Sequence, residues 1–354
     1  MKSEGDELLA RLAEHPFDRA LRLVYADWLL DQGDPRGEVI ALSMKEDLSL
    51  TQRRRVQRLT EQHAAAWLGP LVTVADIGAC RWEGGFLDVL AVGAPTPGSW
   101  PGVVGDPRLA TVRGLLFSVL SDPLPVAPFL AHPVLRHVSH LQVGVALLEA
   151  VARAPLAFVP RSLALISWGT FGRELSSLAG AEALKRTPRI ELITSEFINA
   201  IVAGEVRSAV LEHRLGLRHF EEIRLVARFG VLEGAAAWLL RGNDARRVET
   251  ELPQLTRWGV DYGDVHFTLA RAADRFDRLE VDLSGPDRSL GLGARLALAA
   301  SVVPLLAPAR LSEVDVRLPP GARISQSERD TLRTAVRRLG TVGTFHLGDA
   351  SALP

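Results

Sequence analysis

Three sets of residues in this chain have the types and spacing that chemistry could use. The first is Tyr25, Asp27, Trp28, Asp34, Arg36 and Glu38, an acidic, basic and aromatic group within one short stretch. Such a group could move protons or hold a polar ligand. Each member also has a sufficient structural role, with Tyr25 and Trp28 as core, Asp34 as a helix N-cap, and Arg36 with Glu38 as a local ion pair. The second set is His132, His137 and His140 in HPVLRHVSH. A metal site would need two of these on one side of one element and a third ligand. His132 and His137 straddle a loop and a strand start, and that segment holds no carboxylate. The third set is Glu280, Asp282, Glu313 and Asp315. Their alternation places them on one side of strands and explains them without acid–base catalysis. Gly285, Gly291 and Gly293 do not follow the G-x-G-x-x-G spacing, and no Gly-Lys-Ser/Thr follows them. The serines between Gly114 and Asp122 sit in no G-x-S-x-G elbow. The expectation is therefore no catalysis, no cofactor and no metal. Arg53, Arg54, Arg55 and Arg58 could touch phosphate. They fall on a predicted helix beside Glu61 with no interleaved aromatic residues, which is the pattern of a solvated helix face.

The chain-wide balance agrees. Of 354 residues, 41 are Lys or Arg and 42 are Asp or Glu, giving a net charge of −1, so no global attraction to nucleic acid or membrane is expected. The 47% hydrophobic content supplies a sizeable core. A single cysteine, Cys80, excludes an intramolecular disulfide and a cysteine-based zinc site, and fits a reducing cytoplasm. The start, MKSEGDELLARLAEH, is acidic and amphipathic rather than a signal peptide. No uninterrupted apolar run reaches membrane-spanning length. A cytoplasmic location follows as the expectation.

Helical spacing dominates the first seventy residues. Leu8, Leu9 and Leu12 make one stripe, closed by His15-Pro16. Leu21, Val24, Tyr25, Trp28 and Leu29 make a second. Asp34-Pro35 opens a third helix carrying Val39, Ile40 and Leu42. A fourth begins near Thr51, turns Val56, Leu59 and Trp67 inward, and stops at Gly69-Pro70. Residues 7–71, above all LRLVYADWLLDQGDPRGEVIAL (21–42) and WLGPL (67–71), resemble the bacterial repeat-companion domain. Arg22 precedes Leu23 as the pattern of that family asks. The resemblance implies a short N-terminal module of the kind that often precedes leucine-rich repeats. It implies architecture and assigns no activity.

From residue 80 onward a short motif recurs: apolar, two residues, apolar, one residue, apolar. Clear copies are Val138-Leu141-Val143, Phe220-Ile223-Leu225, Phe276-Leu279-Val281 and Leu311-Val314-Val316. Taking the middle position as the anchor gives Leu87, Leu115, Leu141, Leu163, Ile190, Ile223, Val248, Leu279, Val314 and Phe345. Anchors fall about 22 to 35 residues apart, near and beyond the roughly 20–29 of leucine-rich repeats. Apolar helical segments lie between them, such as Leu147-Leu148-Val151, Val231-Leu232-Ala235-Leu239, Leu296-Leu298-Val302-Leu305 and Leu332-Val336-Leu339. The expected fold class is α/β: a helical module over 1–71, then a leucine-rich-repeat-like right-handed solenoid of about ten irregular units over 80–354. Its parallel sheet would line the concave side with helices outside. The asparagine ladder of such repeats is missing, since Asn199 and Asn243 are the only asparagines.

With apolar anchors inward, the intervening residues map a concave face. One part reads Leu116, Ser118, His140, Gln142, Ala164 and Ile166. The other reads Glu222, Arg224, Arg247, Glu249, Glu251, Arg278, Glu280, Asp282, Glu313, Asp315 and Arg317. An acidic excess on this part would set orientation and on-rate for a protein partner. The function expected is protein recognition or scaffolding, without catalysis. The alternative is an enzyme or small-molecule sensor on a compact α/β core with no local motif. Nucleic-acid binding through the Arg53–Arg58 stretch is a third, weaker class. The final strand, around Phe345, would be an open edge that supports weak self-association.

Overall fold

The computed structural model describes residues 4–93, 98–117, 126–167, 171–194, 200–227, 232–239, 242–262, 264–284, 291–306, 311–339 and 342–349. The chain forms two compact units, one of Met1–Leu163 with Glu182–Leu184, the other of Ala164–Ala181 with Lys185–Pro354.

The first unit begins with helices α1 (Glu4–Glu14), α2 (Arg19–Asp31), α3 (Pro35–Ser43) and α4 (Leu50–Leu68). Local chemistry sets their starts. Asp18 accepts from the Leu21 N–H at the head of α2, and Asp34 accepts from the Arg36 N–H at the head of α3, where Pro35 takes the first position. Ser49 and Gln52 form a reciprocal capping box on α4. Leu8, Leu12, Leu21, Tyr25, Leu29 and Ile40 share a core with Phe86. The expected Arg36–Glu38 ion pair is corrected, because residues two apart on a helix do not face each other. Arg36 instead turns inward, donates from Nε to the Gly85 carbonyl at 2.8 Å, and lies 5.2 Å from the centre of the Phe86 ring. Burial pulls its pKa down. Glu38 receives both nitrogens of the Arg55 fork, at 3.0 and 2.9 Å.

The strands of this unit are β1 (Arg81–Glu83), β2 (Phe86–Val92), β3 (Gly114–Phe117) and β4 (His140–Gly144). β1 and β2 form an antiparallel hairpin, whereas β2, β3 and β4 run parallel in sequence order. Helices α5 (Val126–Leu130) and α6 (Val145–Arg153) precede and follow β4, and β5 (Ser162–Ser167) comes next in the chain.

The second unit alternates strands with helices: β6 (Arg189–Thr194), α7 (Ala200–Glu212), β7 (Glu222–Ala227), α8 (Leu232–Trp238), α9 (Gly242–Glu251), β8 (Arg257–Tyr262), β9 (Val265–Ala272), β10 (Arg275–Asp282), α10 (Leu292–Val302), β11 (Glu313–Leu318), α11 (Gln326–Arg337) and β12 (Thr344–Asp349). Strand order follows chain order. The alternate residues Ile223, Leu225, Trp258, Val260, Phe267, Leu269, Leu279, Val281, Val314 and Val316 are almost wholly buried on one side. Trp238 and Trp258 stack at 4.6 Å and exchange bonds: Trp238 Nε1 donates to the Gly259 carbonyl, and Trp258 Nε1 to the Trp238 carbonyl. Both indoles are thus buried with their donors satisfied.

Nine of the ten sequence anchors fall on strands, and the α/β class holds. Two expectations are corrected. The sheet is mixed rather than parallel: β8, β9 and β10 form an antiparallel meander, flanked by parallel pairs. Its second turn, Ala273-Asp274, holds Ala273 at φ +58°, the left-handed conformation that tight hairpins require. The tenth anchor, Val248, is buried on helix α9. The run Arg247-Val248-Glu249-Thr250-Glu251 alternates like a strand. Val248 and Leu252, both buried, are also four apart, as are the paired Arg247 and Glu251, and that helical period wins. Ser118, Val231 and Gly285 lie outside the described residues. Among the described residues, no helix is long and apolar enough to cross a membrane.

Candidate functional site

The strand register of the second unit turns scattered polar residues into three rows. The first row runs Arg189, Glu222, Arg257, Ala270, Arg278, Glu313, Thr344. The second runs Glu191, Arg224, Gly259, Thr268, Glu280, Asp315, His346. The third runs Ile193, Val226, Asp261, His266, Asp282, Arg317, Gly348. All three rows belong to the side opposite the buried apolar residues, because side chains alternate along each strand.

Arg224 is the centre of one network. Its Nη1 reaches Asp261 at 2.5 Å, and its Nη2 reaches Glu222 at 2.7 Å and Thr268 Oγ1 at 2.9 Å. The guanidinium lies over Gly259, where a Cβ would sit 2.8 Å from Arg224 Cζ. Glycine on the neighbouring strand thus leaves the space through which Arg224 crosses from β7 to β9. Burial opposes the Arg224 charge, yet Asp261 and Glu222 outweigh it and raise the pKa. Burial likewise pushes the Asp261 carboxyl up, but the bond from His266 and the charge of Arg224 overcome it, so the pKa falls. His266 Nδ1 lies 2.8 Å from Asp261 Oδ1, and this bond raises the imidazole pKa more than burial lowers it.

A second network spans β8, β10 and β11. Glu280, buried, takes Arg257 at 2.6 Å and Arg317 at 3.7 Å, and Arg317 also meets Asp315 at 3.4 Å. Arg278 grips Glu313 at 2.7 Å, and His346 approaches the other oxygen of Glu313 at 3.5 Å. Asp282 accepts from the N–H and the hydroxyl of Ser284. The outer members stay accessible: Arg278 is 44% exposed and His346 58%. The face therefore has a fixed inner layer of buried forks and an outer layer able to exchange partners.

Of the residues expected on this face, Glu222, Arg224, Arg278, Glu280, Asp282, Glu313, Asp315 and Arg317 are brought together. Arg247, Glu249 and Glu251 are corrected: they are on helix α9, not on a strand. Glu249 there accepts from the Phe276 N–H at 2.7 Å, and Glu251 pairs with Arg214 and Arg247. His140 and Gln142 lie on β4 of the first unit, with His140 bonded to Ser162 and Gln142 buried. Arg257, Asp261, His266 and Thr268 were not legible as members. Their signal was the alternation in RWGVDY and in DVHFTLA.

The three histidines diverge. His132 Nδ1 accepts from the Val134 N–H, His137 meets Phe17 edge-on at 5.2 Å, and His140 turns to Ser162. Among the described residues no three His, Cys, Asp or Glu side chains are grouped to hold a metal ion. The arginine run is also partly engaged, with Arg55 on Glu38 and Arg53 Nε on the Leu48 carbonyl.

The His266–Asp261 couple makes stability depend on pH. A folded-state histidine pKa above the unfolded value contributes stability that is complete below about 6.5 and is lost as pH rises through the folded pKa. The depressed Asp261 contributes above about 3.8 and is lost as pH falls through its folded value. His266→Gln should therefore melt below wild type in mildly acidic buffer and converge with it in mildly alkaline buffer. Solvent screening limits the difference to about 1 kcal/mol or less. Parallel curves across that range in thermal melts would disprove the coupling.

Compared with known proteins, the chain matches no family model and no curated protein. Fold and site together define an α/β protein with a charged, ion-paired sheet face.

Proposed function

We propose that this chain is a recognition or scaffolding protein whose charged face over β6–β12 receives a protein partner. The observation that carries the reading is the layering of that face. Buried forks at Arg224 and Glu280 hold the inner charges in place, while Arg257, Arg278 and His346 remain accessible above them. Five arginines stand among seven carboxylates on the three rows, which favours a partner with a basic contact surface. The strand-and-helix units are leucine-rich-repeat-like, the β8–β10 meander being an irregular member, and the N-terminal helices are a repeat-companion module. This reading rests on the motifs in the sequence and on the sequential strand order.

The test exchanges a pair instead of breaking it. Arg278→Glu with Glu313→Arg keeps an ion pair at the same place and reverses its direction. Melting should shift by no more than the equivalent of about 1 kcal/mol. Partners captured from the native host by wild type should be lost by this variant. Capture that is indifferent to the exchange would move the function away from this face.

A further inference from the structure

A groove of about 700 Å³ lies in the first unit between α4 and residues 77–82. That volume is within the range of small-molecule sites. Its apolar surface comes from Val56, Ala64, Ile77 and Trp82, and Ile77 is 38% exposed although it is a large apolar side chain. The charges on it are uneven. Arg53 and Arg81 both line it, against the single carboxylate Glu61, which already accepts from Gln57 at 2.8 Å. Arg53 spends Nε on the Leu48 carbonyl and keeps its terminal nitrogens. Arg81 makes no side-chain hydrogen bond or ion pair among the described residues, and its charge reaches Asp88 on β2 only at longer range. The chain's single cysteine, Cys80, also lines the groove.

We propose that this groove binds a single-chain amphiphile with a carboxylate head, such as a medium-chain fatty acid. The hydrocarbon would cover Val56, Ile77 and Trp82, and the head would meet the Arg53 and Arg81 guanidiniums, whose planar forks match a carboxylate. The site belongs to the first unit alone and does not depend on the function of the charged face.

Cys80 reports occupancy directly. Burial pushes its thiol pKa up, so alkylation by neutral iodoacetamide is followed in alkaline buffer by mass. Decanoate below its micelle concentration should slow Cys80 alkylation about fivefold when it is several times its Kd. Decyltrimethylammonium at the same concentration should leave the rate unchanged. Arg53→Glu with Arg81→Glu should weaken decanoate protection about tenfold, and Val56→Trp, which fills the groove, should abolish it. Circular dichroism and melting confirm that each variant is folded. Equal protection by the cationic amphiphile, protection surviving the double reversal, or no protection by decanoate would each overturn the assignment. Protection that rises with protein concentration alone would overturn it too, in favour of a second copy covering the groove.

Discussion

Arg224→Met should destabilise the second unit by about 3 kcal/mol at neutral pH, the largest loss expected from any single side chain on its charged face. Removing one partner of a buried ion pair strands the other charges, and that desolvation exceeds the worth of the lost contacts. Here Asp261 keeps only His266 and Glu222 only Arg189 at 3.9 Å, and with side chains 17% and 14% exposed neither recovers full solvation. Methionine fills much of the same volume, so packing loss contributes little. A double-mutant cycle separates the two effects. Asp261→Asn in the Arg224→Met background should restore part of the loss, with a coupling of about 1–3 kcal/mol. Urea melts give both numbers. A single-variant cost near zero would mean that solvent reaches the network freely, and the fixed inner layer of the proposed binding face would go with it.

Gly37→Ala should cost about 2–3 kcal/mol, the second of the large effects, and for a different reason. A Cβ on residue 37 would sit 2.5 Å from the Ala26 carbonyl oxygen and 2.8 Å from the Leu30 nitrogen. Both are backbone atoms of α2, so α3 must move away as a whole, and overpacking of this kind costs a few kcal/mol. Gly33, four residues earlier in the same motif, provides the comparison. It has φ +72° and nothing within 4 Å of an added Cβ. Gly33→Ala therefore meets strain alone and should cost about 1 kcal/mol. Gly33→Asn should recover part of that, while Gly37→Asn should be worse than Gly37→Ala. If both glycines responded alike in denaturant melts, the close approach of α2 and α3 would be refuted.

These two glycines show what a sequence can reveal. The stretch GDPRGE announces a turn, a cap and a helix start, and those appear where the residues say. It does not say that the second glycine exists for the sake of a helix that ended earlier, because that depends on a crossing. The strands tell the same story. Apolar anchors at Leu141, Ile223, Leu279 and Val314 mark their strands because the buried period of two is local. Arg247-Val248-Glu249 carries the same alternation and is helical, since two periods fit so short a run and tertiary packing chooses. Glu280 and Asp315 were placed on the face by alternation. That Arg224 would be buried there was not legible, because it needs Gly259 beside it and Thr268 one strand further. Those neighbours exist only once three strands have found their register.

The meander of β8, β9 and β10 has a consequence of parity. Each hairpin reverses the direction of the chain, and two reversals cancel. β10 therefore points the way β8 does, and β11 can join it in parallel as β8 joins β7. The register also returns every polar residue to the side it would have occupied, so that Glu280 and Asp315 continue the row begun by Glu191 and Arg224. An irregularity of one reversal would have inverted everything after it. One of two reversals is silent downstream: β11 and β12 keep the direction and the side they would have had without it.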